Sequence, residues 1–161
     1  MNAKLEIAGD ASSSRFIRLK QGYFAFANHV APLDQHQPDW VAVAESFLGV
    51  PYVWGGKTFA GVDCSGLIQT ALEAGGIDAP RDTDLMEAAL GETIPLDTRL
   101  RRGDLIFWRG HVGVMLDAAR LLHANAFAMR VSAEPFAVAR KRIVAEGLPV
   151  QTIKRLSPDV A

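Results

Sequence analysis

Cys64 is the single cysteine among 161 residues, so no disulfide can close within the chain and the thiol is left for packing or for chemistry. Its position favours chemistry. Leu67, Ile68, Ala71 and Leu72 recur as one apolar helical face until Gly75-Gly76 stops it, so Cys64 opens a helix. Free N–H groups and the macrodipole at a helix start favour negative charge, which predicts a lowered thiol pKa and a reactive thiolate. His111 stands at the mouth of the apolar run Val112 to Leu116 and can hold the thiol proton, giving a thiolate and imidazolium pair that attacks an acyl carbon. His123 follows twelve residues later, enough for one strand, a tight turn around Asp117 to Arg120 and a return strand. That hairpin would set His123 against the other ring nitrogen of His111 and fix its tautomer.

Taken singly, a lone cysteine is most simply a small buried hydrophobe, and each histidine a hydrogen-bonded structural residue. The joint spacing favours nucleophile, base and orienter. Zinc is a poor alternative, because one Cys and two His spread over roughly sixty residues lack a close ligand pair. No metal and no cofactor are expected. His29 and His36 lie in a segment without partner signals and are read as packing or solvent-facing residues.

The elements that must position these residues follow from periodicity. Residues 1–14 are small and polar and read as a loose tail, whereas Phe16 to Val30 alternates like a hairpin turning at Gln21-Gly22. Pro32 to Gln37 reads as a linker. Trp40, Val43, Ala44 and Phe47 then mark a first helix over about 38–48, with Pro38 in its first turn. Val50 to Val62, with three glycines and a proline, is an ordered loop of the kind that carries function. Asp82 or Thr83 caps a short helix ending near Leu90. Leu105 to Trp108, Val112 to Leu116, Leu121 to Asn125, Met129 to Ser132 and Val150 to Leu156 are strand candidates. Helices first and a mostly antiparallel sheet afterwards make an α+β fold.

Composition sets outer limits. A chain with 49% hydrophobic residues can bury one respectable core. Lys plus Arg number 17 and Asp plus Glu 18, so a net charge of -1 supplies no field for nucleic acid or anionic lipid. No apolar run approaches the roughly 20 residues that span a bilayer, and Met1 to Glu6 lacks the apolar core of a secretory signal. As written the chain is expected in the cytoplasm, or in the periplasm or at the cell surface if it is part of a longer exported protein.

Three blocks of residues resemble the NlpC-type cell-wall peptidases, papain-like cysteine hydrolases of bacterial peptidoglycan. Gly49-Val50-Pro51-Tyr52-Val53-Trp54-Gly55-Gly56, running on to Gly61-Val62-Asp63-Cys64-Ser65-Gly66-Leu67, is similar to that family's nucleophile block. Arg102-Gly103-Asp104-Leu105-Ile106-Phe107-Trp108 with Gly110-His111-Val112-Gly113-Val114 resembles the block of the base histidine, and Leu122-His123-Ala124 that of the orienting residue. The resemblance implies a papain-like domain over 38–161, with Cys64 as nucleophile, His111 as base and His123 as orienter, the roles that position alone suggests. It further implies that Tyr52 assists the oxyanion beside the N–H groups of the Cys64 helix.

The sequence is also similar to the subgroup that cuts between γ-D-glutamate and a diamino acid in peptides with a free N-terminal L-alanine. By that similarity Asp63 helps bind the α-ammonium, Ser65 contacts the peptide, and Arg81-Asp82-Thr83 meets the glutamyl and diamino-acid portions. The subgroup usually has glutamine where Met86 stands. It also carries complete SH3-like barrels ahead of the peptidase domain, of which residues 1–34 hold only a tail and the last strands. A missing SH3-like domain or an oligomer partner would then complete the cleft. The expected partners are peptidoglycan-derived peptides; the competing functions are an amidase or acyl transferase of the same papain-like group and a non-catalytic peptidoglycan-binding module.

Overall fold

A computed structural model describes residues 2–9 and 15–157. The chain divides into two compact units, one of residues 2–36 and one that begins at Gln37. In the first, β1 (Phe16–Arg18) and β2 (Phe24–Phe26) pair antiparallel with Phe16 opposite Phe26. The turn closes by the Gly22 N–H donating to Leu19 O at 2.9 Å, and Gly22 holds φ at 86°, a conformation glycine adopts without strain. Part of the expected tail is ordered: Ile7 bridges to Leu19, the Ala8 N–H reaches Arg18 O and the Lys20 N–H reaches Glu6 O. Its remainder, Met1 and residues 10–14, lies outside the described residues.

The second unit begins with α1 (Trp40–Glu45). The helix is shorter than its apolar period suggests, because Asp39, directly after Pro38, is the N-cap and leaves Pro38 outside the first turn; its carboxylate accepts from the Val41 and Ala42 N–H groups. Then come the small hairpin β3 (Lys57–Thr58) and β4 (Gly61–Val62), α2 (Cys64–Ala74) and α3 (Thr83–Ala89). The remaining elements are β5 (Glu92–Ile94), β6 (Leu105–Trp108), β7 (His111–Met115), β8 (Arg120–Asn125), β9 (Arg130–Pro135), α4 (Phe136–Ala145) and β10 (Thr152–Arg155). Strands β5, β10, β6, β7, β8 and β9 form one sheet in that order, every pair antiparallel. The architecture is α+β, as expected, with one amendment: α4 falls among the strands instead of ahead of them.

Both faces of the sheet are covered, and the pleat sorts its residues. Leu105, Phe107, Val112, Val114, Leu122 and Ala124 pack with α1, α2 and α3, whereas Ile106, Trp108, Met115 and Leu121 pack with Ala139 and Ile143 of α4. Burial on both sides explains why β6 reads as an unbroken apolar run. By the same parity His111, opposite Trp108, and His123, two residues from Leu121, belong to the α4 face. Among the described residues no helix is long and apolar enough to cross a membrane.

Candidate active site

Asp63 builds the start of α2. Its Oδ1 accepts from the Gly66 N–H at 2.7 Å, and its Oδ2 from the Gly55 N–H at 2.8 Å, which ties the glycine-rich loop to the helix. A Cβ on Gly66 would stand 2.3 Å from Gly56 O, so only glycine lets loop and helix approach this closely. Cys64 is thereby fixed as the first helical residue, 7% exposed. Its sulfur lies 3.9 Å from Thr83 Oγ1 and 4.0 Å from Gly110 O, and the Ser65 and Val112 N–H groups also face it. The sulfur thus meets the backbone on both sides of His111. The His111 imidazole is not among its hydrogen-bond partners.

His111 instead engages His123, with Nε2 2.8 Å from His123 Nδ1. That pairing occupies one ring nitrogen and leaves Nδ1 for another partner. Gly113 makes room for it: a Cβ there would stand 3.1 Å from that of His123. Burial, followed by the neighbouring His123 and Arg142, lowers the His111 pKa to about 3. Burial also lowers that of His123, against the opposing pull of Glu134. The thiol differs from expectation: burial pushes Cys64 up, and the carboxylate of Asp63 adds to the rise, outweighing the N–H groups aimed at the sulfur. The helix start is real, but desolvation outweighs it. These directions favour a neutral thiol and neutral imidazoles over the expected thiolate and imidazolium pair.

The residues expected to bind substrate divide into two sets. Asp63 and Ser65 are committed within the protein: Arg81 places Nη2 2.6 Å from Asp63 Oδ2 and Nη1 2.7 Å from Ser65 Oγ. Burial favours the protonated Asp63 carboxyl, yet Arg81 and the two N–H groups prevail and hold it below the usual range. Asp82 is exposed at the N-cap of α3, and its side chain makes no cap bond. Thr83 is the buried first residue of that helix, turned to the sulfur. Tyr52 is half-buried on the loop, where its N–H donates to Met129 O at 3.0 Å. Burial raises its phenol pKa, with Cys64 and Asp63 adding to the rise, so the hydroxyl remains a donor beside the site. Met86 is fully buried in the α2 face of the core, where a thioether packs well and a glutamine amide would need partners.

Two further residues escape the sequence reading. Glu134 on β9 accepts from His123 Nε2 at 2.8 Å, and Arg142 on α4 holds the same carboxylate at 2.8 and 2.6 Å. Only α4 makes that polar strand face an interior one. Among the described residues no group of three or more His, Cys, Asp or Glu is placed to hold a metal ion.

A profile of the NlpC/P60 family matches residues 49–145. The chain is 35% identical over 99 residues to Dipeptidyl-peptidase 6 of Lysinibacillus sphaericus, an alignment covering 62% of this chain and 36% of that protein. Over 112 residues it is 33% identical to the Gamma-D-glutamyl-L-lysine dipeptidyl-peptidase of Bacillus subtilis (strain 168), covering 63% and 37%. The chain therefore spans well under half the length of these curated relatives. Among solved structures it resembles the peptidoglycan hydrolase RipB of Mycobacterium tuberculosis, with a TM-score of 0.61 at 29% identity over 73% of this chain and 63% of that one. An NlpC/P60 family protein from Bacillus cereus gives a TM-score of 0.69 over 96% of this chain and 54% of that one; at 24% identity it bears on the fold alone.

Proposed function

The chain belongs to the NlpC/P60 family, and from that premise we propose that it is a cysteine endopeptidase of peptidoglycan stem peptides, cutting between γ-D-glutamate and a diamino acid. The observation that carries the reading is the joining of His111 to His123 at 2.8 Å, beside a sulfur that lies against the backbone on both sides of His111. In this reading Nδ1 of His111 takes the Cys64 proton as sulfur attacks the γ-glutamyl carbonyl carbon. His123 orients the ring. The C–S bond forms as the carbonyl π pair moves to oxygen, and collapse expels the diamino-acid amine, which takes the proton back from His111. Water then hydrolyses the thioester, freeing the acyl product and the thiol.

The oxyanion needs donors at the start of α2. Asp63 accepts from the Gly66 and Leu67 N–H groups and the Ser65 N–H faces the sulfur, so the reading assigns the Cys64 N–H and the Tyr52 hydroxyl to that oxygen. Because Asp63 and Ser65 are engaged by Arg81, the carboxylate offered to the substrate's α-ammonium is the exposed one of Asp82, with Thr83 lining the cleft at the sulfur. The name of the Bacillus subtilis relative, Gamma-D-glutamyl-L-lysine dipeptidyl-peptidase, supports the choice of bond. In the same reading the unit of residues 2–36 is the remnant of an SH3-like barrel, and further chain or a partner completes the cleft.

Mass analysis of L-Ala-γ-D-Glu-meso-diaminopimelate after incubation tests this. Release of L-Ala-D-Glu, lost in Cys64→Ala, is expected. Cleavage of another amide with no alanyl-glutamate would support the amidase reading instead, and ligand binding without turnover the binding-module one.

A further inference from the structure

Side chains on three adjacent strands form one line across the α4 face of the sheet. His111 Nε2 lies 2.8 Å from His123 Nδ1, and His123 Nε2 lies 2.8 Å from Glu134 Oε1. Register explains the diagonal, because His123 faces Ser132 on β9 and Glu134 is the next residue on the same face. From α4, Arg142 grips both oxygens of Glu134, and the Phe127 ring lies against its guanidinium with 4.2 Å from carbon to centroid. His123, at 1% exposure, is enclosed between them. The charged and titratable groups facing this line are His111 from β7, Glu134 from β9 and Arg142 from α4, with Glu146 at the end of α4 acting on Arg142.

The line has a direction. A carboxylate can only accept hydrogen bonds, and Arg142 holds that of Glu134 below the usual range, so it is ionised at neutral pH. His123 Nε2 must then carry the hydrogen. Burial keeps this ring neutral, so its Nδ1 is bare and accepts from His111 Nε2. His111 is neutral too, which leaves its Nδ1 as the bare nitrogen. We propose that Glu134, braced by Arg142, is a positioning residue that sets the tautomers of both histidines and so reserves Nδ1 of His111 as the proton acceptor. The tautomers follow from these hydrogen bonds, the Arg142-braced carboxylate and the burial of both rings; their catalytic consequence rests on the roles of Cys64 and His111 proposed above.

Long-range proton–nitrogen NMR of the 15N-labelled full chain reads the tautomers without any substrate. Wild type is expected to show Nε2–H and bare Nδ1 for both His111 and His123. In Glu134→Gln the amide can donate as well as accept, so His111 should become a tautomer mixture, with kcat on L-Ala-γ-D-Glu-meso-diaminopimelate falling about tenfold or more and KM within about twofold. Glu134→Asp should restore the tautomers and part of kcat. A wild-type His111 protonated at Nδ1 overturns the proposal whether or not the variants fold. So does Glu134→Gln with tautomers and kcat unchanged. The stated tautomers in a chain that cleaves no peptide would support this inference and count against the hydrolase reading.

Discussion

Asp63 Oδ2 and Arg81 Nη2 stand 2.6 Å apart, an ion pair directly beneath the first turn of the nucleophile helix, with the Asp63 side chain 10% exposed. The carboxylate also caps α2 and holds the loop at Gly55, so one side chain joins three segments. Asp63→Asn keeps a competent N-cap but leaves the Arg81 cation poorly matched, and should cost roughly 2–4 kcal/mol. Chemical denaturation of wild type and variant checks this. A variant with unchanged stability but a large rise in KM would return Asp63 to the role of ammonium ligand.

Asp82 should behave in the opposite way. Its side chain is exposed and makes no cap bond, so Asp82→Asn should leave stability within about 0.5 kcal/mol. A lost charge-assisted contact to an ammonium is worth about 1.5–3 kcal/mol, so KM for a free-amine peptide should rise roughly tenfold or more. N-acetylation of the peptide should erase the difference between wild type and variant. An equal effect on both peptides would sink the assignment.

Cys64 should resist alkylation at neutral pH. Burial raises its pKa, so the thiolate fraction, and with it the rate of iodoacetamide inactivation, should climb mainly above the ordinary thiol range of roughly 8.5. Cys64→Ala supplies the blank. A rate already level below pH 7 would instead reveal a preformed thiolate and imidazolium pair.

How far the site can be read from sequence depends on where each signal is written. Cys64, His111 and His123 sit at the ends or interiors of strongly periodic elements, and a short hairpin fixes the spacing of the two histidines, so local pattern suffices. Glu134 is different. Ser132 and Glu134 alternate with buried Val131 as the solvent face of an edge strand would, and only α4 turns that face inward. That helix is itself faint, because just Ala139 and Ile143 are buried while Val138 and Val144 are exposed, too narrow a stripe to announce a period. β5 is three residues at the sheet edge, equally short of signal. The direction of the thiol pKa departs from what the helix start alone favours for a related reason: helix position is local, but the burial that opposes it comes from residues distant in sequence.

The histidine line should make the fold sensitive to acid. An unfolded imidazole titrates near 6.5, whereas native His111 stays neutral down to about 3. Between those values the unfolded chain binds the extra proton, so stability is complete above about pH 6.5 and falls as pH drops toward 3. At about 1.4 kcal/mol per unit the loss is on the order of a few kcal/mol. His123 acts in the same sense. Denaturation from pH 7 to 4 should show a steeper loss for wild type than for His111→Gln, and parallel curves would refute the argument.

Asp104 offers a control for effects on the fold without effects on chemistry. Fully buried, its carboxylate accepts from Arg155 Nε and Nη2, both at 2.7 Å, and from the Arg101 N–H at 2.9 Å. It thereby clamps β10 to the turn that feeds β6, while its backbone pairs with Met115 at the end of the β6–β7 hairpin remote from His111. Asp104→Ala removes one partner of a buried pair and should cost about 3–5 kcal/mol. For a chain of this size that corresponds to a fall in Tm of roughly 6–20 °C by calorimetry. Because His111 sits at the opposite end of the hairpin, kcat per folded molecule should stay within about twofold. A kcat that collapses in step with Tm, measured well below the transition, would show that the clamp positions the catalytic strand as well as stabilising it.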